Sequence, residues 1–315
     1  MKEYSIQSVL NSAGPQAGRI EQLWWLMFWV CTVVFVIVML ALAVAIARGR
    51  RGSATAVPES TLTRNISISV GVSTVALVGL LLASVLTGRA LGSLPSSNAL
   101  HVRITGYQWW WNIEYLDADP SLQFTTANEL HLPVGRPVVV SLQASDVIHS
   151  FWVPNLHGKT DLIPGRENTL LLQADTPGVF RGQCAEYCGV QHAHMAFTVV
   201  AEPSEQFEGW LSAQRKPAPD PGSAQTARGR NVVEQGPCAM CHTIRGTNAG
   251  ARTAPDLTHF ATRSTIAAGT APNTRGYLAG WIADPQHLKP GSRMPPTGLS
   301  SDDLQAVIAY LETLQ

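Results

Sequence analysis

From Gln22 to Ala47 the chain carries no charged side chain. The stretch beginning at Leu23, LWWLMFWVCTVVFVIVMLALAVAIA, is long enough to cross a bilayer core, which takes about 20 residues. A second uncharged run extends from Asn65 to Gly88. Both are longer than ordinary buried helices, so the chain is expected to begin with a transmembrane helical hairpin. Charged residues make up only 14% of the chain, against about 25% in a soluble globular protein. A cleaved signal peptide does not fit, because residues 1–21 precede the first run, the apolar stretch is too long, and no small-residue cleavage site follows it.

The segment joining the two runs holds Arg48, Arg50, Arg51 and Arg64, against Lys2 and Arg19 in the N-terminal tail. The excess of cations puts that loop in the cytoplasm. Both termini, and everything after residue 90, are then expected on the periplasmic or extracellular side of a bacterial inner membrane. Cys31 lies in the first span, and the other four cysteines form two close pairs, Cys184/Cys188 and Cys238/Cys241. In an oxidising compartment such pairs are either disulfides or held by a cofactor.

Beyond the hairpin three regions differ in pattern. Residues 91–213 contain short alternating or apolar runs, RPVVVSLQ, NTLLLQ, GVFRGQ and AFTVVAE, separated by Pro, Gly, Asn and Asp. That spacing indicates a small all-β domain. Residues 214–226, around QRKPAPDPGSAQ, are Pro-rich and polar and read as a linker. Residues 227–315 turn helical, ending in SSDDLQAVIAYLETL, where Ser300 and Asp303 form a capping box and Leu304, Val307, Ile308 and Leu311 share a face. The expected division is thus a tail (1–20), a hairpin (21–90), a β domain (91–213), a linker (214–226) and a helical domain (227–315). Five Lys/Arg against twelve Asp/Glu give the β domain a net charge of −7, and eight against six give the helical domain +2. Opposite signs favour docking of the two domains on each other. A flexible linker of this length would span on the order of 20 Å, giving a millimolar-range effective concentration.

Two motifs carry chemistry. Cys238-Ala-Met-Cys241-His242 is the C-x-x-C-H pattern of haem attached through two thioethers, with the histidine as axial ligand. Met294, in the loop GSRMPP before the last helix, is placed to supply the second axial ligand, a pairing that raises the haem potential and suits an electron carrier. His259 and His287 remain alternatives to it. The second motif, QCAEYCGVQHAHM, spaces Cys184, Cys188, His192 and Met195 on a loop between two expected strands. Soft thiolate and thioether donors with imidazole favour copper, and two thiolates could bridge two copper ions. His149, at the end of an expected strand, is the candidate for a further nitrogen ligand. A Cys184–Cys188 disulfide is the competing reading, and structural zinc a weaker one, because methionine is a poor zinc ligand. His101, His131, His157 and His194 read as surface or loop residues.

DVIHSFWVP, KTDLIPGR and GQCAEYCGVQHAHM together resemble subunit II of the haem-copper cytochrome c oxidases over about residues 20–213. With the haem domain appended, the chain resembles the caa-type subunit II. The resemblance implies a two-helix transmembrane hairpin, an all-β cupredoxin-like sandwich and an all-α class I cytochrome c domain. It places a dinuclear CuA centre on His149, Cys184, Cys188, His192 and Met195, with Glu186 giving its backbone carbonyl and turning its carboxylate to a magnesium at the subunit I interface. By the same resemblance Trp109, in GYQWWW, lies where electrons enter, and Trp110 and Trp111 are structural. The implied partners are oxidase subunit I with its haem a and haem a-copper site, subunit III, and an upstream quinol-cytochrome c reductase or a cytochrome c; no nucleic acid is expected. The implied activity is that of a proton-pumping cytochrome-c oxidase. A glutamate feeding a proton channel is not assigned, since Glu59 lies several residues before the second apolar run.

Other readings make different demands. A nitrous oxide reductase needs a propeller domain for which the chain has no room, and a nitric oxide reductase small subunit would lack the copper loop. A copper-delivery protein would have no use for a haem, and a quinol oxidase subunit would have lost its copper ligands.

Overall fold

The structure, a computed structural model, describes residues 6–52, 57–92 and 98–315. Lys2, counted above for orientation, lies outside the described residues. The chain divides into two compact units, one of residues 18–93 and one of residues 1–17 with 94–315.

The first unit is two helices, α1 (Pro15–Arg50, which begins in the other unit) and α2 (Glu59–Leu91), both long and apolar enough to cross a membrane. Near the start of α1, Trp24 stacks on Phe28 with centroids 5.3 Å apart. Trp25 and Trp29 pair likewise at 6.5 Å, an aromatic cluster of the kind that sits at a membrane–water boundary. Arg48 and Arg50 occupy the last turn of α1.

The second unit holds two cores. The larger is a sandwich of ten strands: β1 (Leu100–Tyr107), β2 (Trp110–Leu116), β3 (Phe124–Ala127), β4 (Glu129–Pro133), β5 (Val138–Ala144), β6 (His149–Trp152), β7 (Thr160–Leu162), β8 (Asn168–Leu172), β9 (Gly178–Cys184) and β10 (Ala196–Glu202). One sheet runs β3-β2-β1-β5-β8 and the other β4-β10-β9-β6-β7. The pairs β1/β5 and β4/β10 are parallel. Alternation is clean: β1 buries every second residue, Leu100, Val102, Ile104 and Gly106. Each strand therefore turns one face to the core. Trp111, Phe151, Phe180 and Phe197 fill the space between the sheets. His149 opens β6 rather than ending a strand, because the chain turns at Ser145–Ile148 before it pairs again.

Residues 6–17 lie on this sandwich instead of trailing from it. Ala13 N–H donates to Asn155 O at 2.7 Å, and Asp175 N–H donates to Ala13 O at 2.7 Å. After β10 the chain adds a helix that its β-rich reading omits, α3 (Ser204–Gln214). It buries Phe207 and lays Trp210 against the His131 ring, centroids 4.0 Å apart. His131 is consequently a buried strand residue and not a surface one, since that stacking removes its ring from solvent.

The smaller core belongs to α4 (Ala224–Gln235), the short hairpin β11 (Thr265–Ile266) and β12 (Ala271–Pro272), and the helices α5 (Arg275–Ala283), α6 (Pro285–Leu288) and α7 (Ser301–Leu311). Val307, Ile308 and Leu311 are buried as expected, and Ser300 caps α7 by accepting from Asp303 N–H. α4 crosses α7 at Gly229. Residues 215–223 do not behave as a free linker. Ala218 N–H donates to Arg245 O at 2.9 Å, and Arg245 reaches back to the carbonyls of Gln214 and Arg215. Arg215 pairs with Asp117 at 3.0 Å. The start of the expected linker is thus held from both sides, by Asp117 of the sandwich on Arg215 and by Arg245 of the cytochrome core on the carbonyls of Gln214 and Arg215.

Candidate functional site

The copper loop joins β9 to β10 and is tied at its base, where Cys184 N–H donates to Met195 O at 2.9 Å. Antiparallel pairing of β6 with β9 puts Phe151 opposite Cys184, which brings the start of β6 alongside the loop. As a result His149 Nδ1 lies 3.9 Å from Cys184 Sγ, although the residues are 35 apart in sequence. Cys188 Sγ lies 3.6 Å from His192 Nδ1 and 3.8 Å from Met195 Sδ. The carbonyl of Glu186 faces Cys184 Sγ at 3.2 Å, while the exposed Glu186 carboxylate turns back to accept from Tyr187 N–H. The ligand atoms of His149, Cys184 and Cys188 thus lie within 4.8 Å of one another, and the Glu186 carbonyl, His192 and Met195 each lie against one of the two sulfurs.

The donors suit a soft metal, and each has a physical setting. The neighbouring Cys188 thiol holds Cys184 below the usual thiol range, and the same pairing pushes Cys188 up. One thiol thus ionises readily and the pair shares the remaining proton, a state that a metal would displace. Burial opposes charge on His149, but its hydrogen bonds to Cys184 and Asp146 outweigh that and raise its pKa. Asp146 Oδ1 accepts from His149 Nε2 at 2.8 Å. This carboxylate fixes the ring so that Nδ1 faces the sulfurs, the usual support for a ligating histidine. Asp146 in turn accepts from the N–H groups of Gln108 and Val147.

The C-x-x-C-H segment lies at the mouth of a cavity of about 450 Å³, lined by Cys238, Cys241, His242, Phe260, Trp281 and Met294 among others. The Pro255 carbonyl accepts from His242 Nδ1 at 2.7 Å, leaving Nε2 as the donor for a metal. Burial pushes the His242 pKa down, which favours the neutral, ligating imidazole. Arg263 lines the cavity with its Nε buried and unpartnered among the described residues. A buried guanidinium N–H without an acceptor is costly, and a haem carboxylate would satisfy it. His242 and Met294 line one cavity, whereas the ring nitrogens of His259 face the carbonyls of Gln315 and Lys216 and His287 is exposed. His194 spends Nδ1 on Gln191. The donor sets, the cavity and the orphaned arginine fit copper and a covalent haem.

The cavity wall is shared. Trp109, in the β1–β2 turn of the sandwich, and Trp110, the first residue of β2, line the haem cavity. The Trp109 indole N–H donates to the Cys188 carbonyl at 3.0 Å, and Gln108 Nε2 donates to the same oxygen at 2.8 Å. Trp111 is core, packed on Phe197 with centroids 5.2 Å apart. Trp110, expected to be structural, faces the cavity and stacks on Tyr107 at 4.7 Å. Lys289, for which the sequence offers no signal, is 2% exposed and lines the cavity from the other side. Burial pulls it down to about 7. Asp146, Gln108 and Arg263 were likewise invisible, since their partners are distant in sequence.

Residues 118–202 match the family "Cytochrome C oxidase subunit II, periplasmic domain" and residues 226–315 the family "Cytochrome c". A cytochrome c oxidase subunit 2 of Alkalihalophilus pseudofirmus is 40% identical over 219 residues, 69% of this chain and 62% of that protein. The Bacillus subtilis subunit 2 is 32% identical over 231 residues, 70% of this chain and 64% of its own length. The chain therefore spans just under two thirds of these relatives. A solved periplasmic domain of cytochrome oxidase subunit II from Bradyrhizobium japonicum is 30% identical, covering 39% of this chain and 97% of that one, with a TM-score of 0.36.

Fold and site together define a copper-binding cupredoxin domain joined to a cytochrome c domain, in a chain that also carries two apolar helices. The chain carries a domain that matches the periplasmic domain of cytochrome c oxidase subunit II and a domain that matches cytochrome c, and over about 70% of its length it is similar to proteins named cytochrome c oxidase subunit 2. Those two families imply CuA copper and haem c.

Proposed function

We propose that the chain is where electrons enter a haem-copper terminal oxidase, passing from its own haem c to CuA and on to haem a of subunit I, where oxygen is reduced to water with proton pumping. The observation that carries this reading is Trp109, one side chain that lines the haem cavity and hydrogen-bonds the backbone of a copper-loop cysteine. In this reading His149, Cys184, Cys188, His192, Met195 and the Glu186 carbonyl hold two copper ions. Cys238 and Cys241 would anchor the haem, and His242 and Met294, which line the same cavity, would supply the donors to its iron. Bound copper and haem supply two one-electron couples; the chain's own residues fix their spacing and keep water out. The buried His149 and Met195 exclude solvent from one side of the copper centre. Asp146 holds His149 in one tautomer, and the Pro255 carbonyl does the same for His242. The exposed Glu186 carboxylate, which accepts from Tyr187 N–H, would in this reading meet a magnesium shared with subunit I. Subunit III and an upstream quinol-cytochrome c reductase or cytochrome c complete the expected partners.

The division into tail (1–20), hairpin (21–90), CuA domain (91–213), linker (214–226) and cytochrome domain (227–315) goes with this reading. So does a two-pass topology in a bacterial inner membrane. Residues 6–17, ahead of the first span, belong to the same compact unit as the β sandwich that follows the second. An even number of crossings satisfies that, and Arg48, Arg50 and Arg51 on the connecting segment favour the cytoplasm for it.

The test is the low-temperature EPR spectrum of the oxidised full chain, loaded with copper in a host that attaches haem c. The expected result is hyperfine structure from one electron shared by two copper nuclei, beside a low-spin haem signal. A single-copper spectrum would mean that Cys184 and Cys188 do not bridge, and would reduce the reading to a membrane-bound cytochrome c.

A further inference from the structure

Lys289 leaves the end of α6 on the same loop that carries Met294, and its side chain crosses out of the cytochrome core. Its Nζ donates three hydrogen bonds: to Trp109 O at 2.8 Å, to His194 O at 2.7 Å and to Ala267 O at 2.8 Å. An ammonium has three donors, so this one is fully satisfied, and by carbonyl dipoles alone. The carbonyls belong to three different structures. Trp109 lies in the turn that walls the haem cavity, His194 immediately precedes the copper-loop Met195, and Ala267 lies in the β11–β12 turn of the cytochrome domain. Burying a cation without an anion is expensive unless every donor is engaged. Side chains with a merely solvating task do not sit at 2% exposure.

The neighbouring contacts close the same seam. Gln191 Nε2 donates to Pro290 O at 2.9 Å, and Ala196 N–H donates to Ala268 O at 3.0 Å. Glu129 Oε1 accepts from both the N–H and the hydroxyl of Ser264 at 2.8 Å. Gly291, two residues beyond Lys289, lies beside the Trp109 ring, where a Cβ would make an ordinary van der Waals contact at 3.4 Å.

We propose that Lys289 is a positioning residue for electron transfer from haem to copper: inserted between the Trp109 and His194 carbonyls, it holds the haem-bearing domain in one fixed seat on the copper domain, so that no docking step precedes each electron. The proposal rests on the functional reading given above. In the step concerned one electron leaves the haem iron, oxidised from ferrous to ferric, and reduces the copper pair by one unit; no bond forms or breaks. Lys289 touches neither metal. It acts by fixing the Trp109 turn, the Met294 loop and the copper loop against one another.

The experiment compares the full chain, loaded with haem and copper, with its Lys289→Met variant. Flash photoreduction of the haem is followed by the appearance of reduced copper over a series of glycerol concentrations. A second readout is hydrogen exchange at the Ala196 amide, which donates across the seam. The wild-type rate is expected not to change with viscosity. In K289M the rate falls at least tenfold and becomes viscosity-dependent, and Ala196 exchanges at least tenfold faster, while the haem absorption and copper EPR spectra stay as in wild type. A viscosity-dependent wild-type rate overturns the proposal, and so does a K289M protein with wild-type transfer and wild-type Ala196 exchange. If K289M does not fold, the wild-type viscosity series still decides between a fixed seat and a docking step. Loaded wild type in which haem reduction is never followed by copper reduction would sink the functional reading instead, and Ala196 exchange would still judge the seat.

Discussion

At Gly106 a single methyl group decides whether His149 can reach the copper loop. A Cβ at that position would lie 2.8 Å from His149 Cδ2 and 3.3 Å from a Leu162 methyl. His149 is fully buried and cannot swing outward. Gly106→Ala is therefore expected to push the imidazole off the sulfurs, at an overpacking cost of about 1–3 kcal/mol. Metal analysis should find copper per chain reduced by more than half with haem content unchanged, and equal copper in wild type and variant would show that His149 is dispensable. Asp146 acts on the same ring from the other side. Asp146→Asn keeps an acceptor but removes the charge behind His149 Nε2, and supporting residues of this kind are worth about 10–100-fold in metal affinity. Competition with a copper chelator should show a loss of about tenfold or more. Neither residue draws notice in the sequence. The loop ligands do, because Cys184 through Met195 fall within one short stretch, where their donor types favour copper and the family resemblance selects among the readings. His149 needed strand pairing to bring it near, and Asp146 needed His149.

Elements obey the same rule, with local pattern readable and crossings not. The alternation of β5, within RPVVVSLQ, and the apolar stripe of α7 are properties of consecutive residues, and each element forms where that pattern predicts it. α3 was hidden because SEQFEGWLSAQ has only a weak stripe, and its stability comes from Phe207 and Trp210 packing on β4. The close approach of α4 and α7 was hidden as well, since a glycine inside a helix ordinarily only weakens it. Here Gly229 is where the two backbones meet, and a Cβ would overlap the Ala306 carbonyl and press on Tyr310. Gly229→Ala thus sets a small gain in helix propensity against a backbone clash, and the clash wins because a carbonyl cannot rotate out of the way. Unfolding of the cytochrome domain, followed by its haem absorption, should shift down by on the order of 10 °C, as about 2 kcal/mol would in a domain of this size. An unchanged transition would mean that the helices can slide apart at no cost.

Over the whole chain, net charge and contact chemistry give different accounts of what holds the cytochrome domain in place. Charges of −7 and +2 on the two outer regions suggest that long-range attraction docks them, with a flexible linker keeping them near. The structure offers little for such attraction to act through. The one ion pair directly joining the sandwich to the cytochrome core among the described residues is Arg293 with Asp146, at 3.6 Å and with the arginine 71% exposed. Exposed pairs of this kind contribute at most about 1 kcal/mol. The short contacts are instead the Lys289, Gln191, Ala196 and Ser264 hydrogen bonds, at 2.7 to 3.0 Å, most of them partly or fully buried. Salt screens exposed charges over about 10 Å at 0.1 M and about 3 Å at 1 M, but it reaches buried hydrogen bonds far less. The two accounts therefore separate on ionic strength. If charge docks the domains, transfer from haem to copper within the chain should slow severalfold as salt rises from about 0.01 to about 1 M. If the seam does, the rate should change by less than roughly twofold over that range, because the short contacts lie out of reach of the screening ions. Flash photoreduction across a salt series measures this directly, and reduction of the haem by an external protein donor, which must diffuse to an exposed surface, supplies the salt-sensitive control.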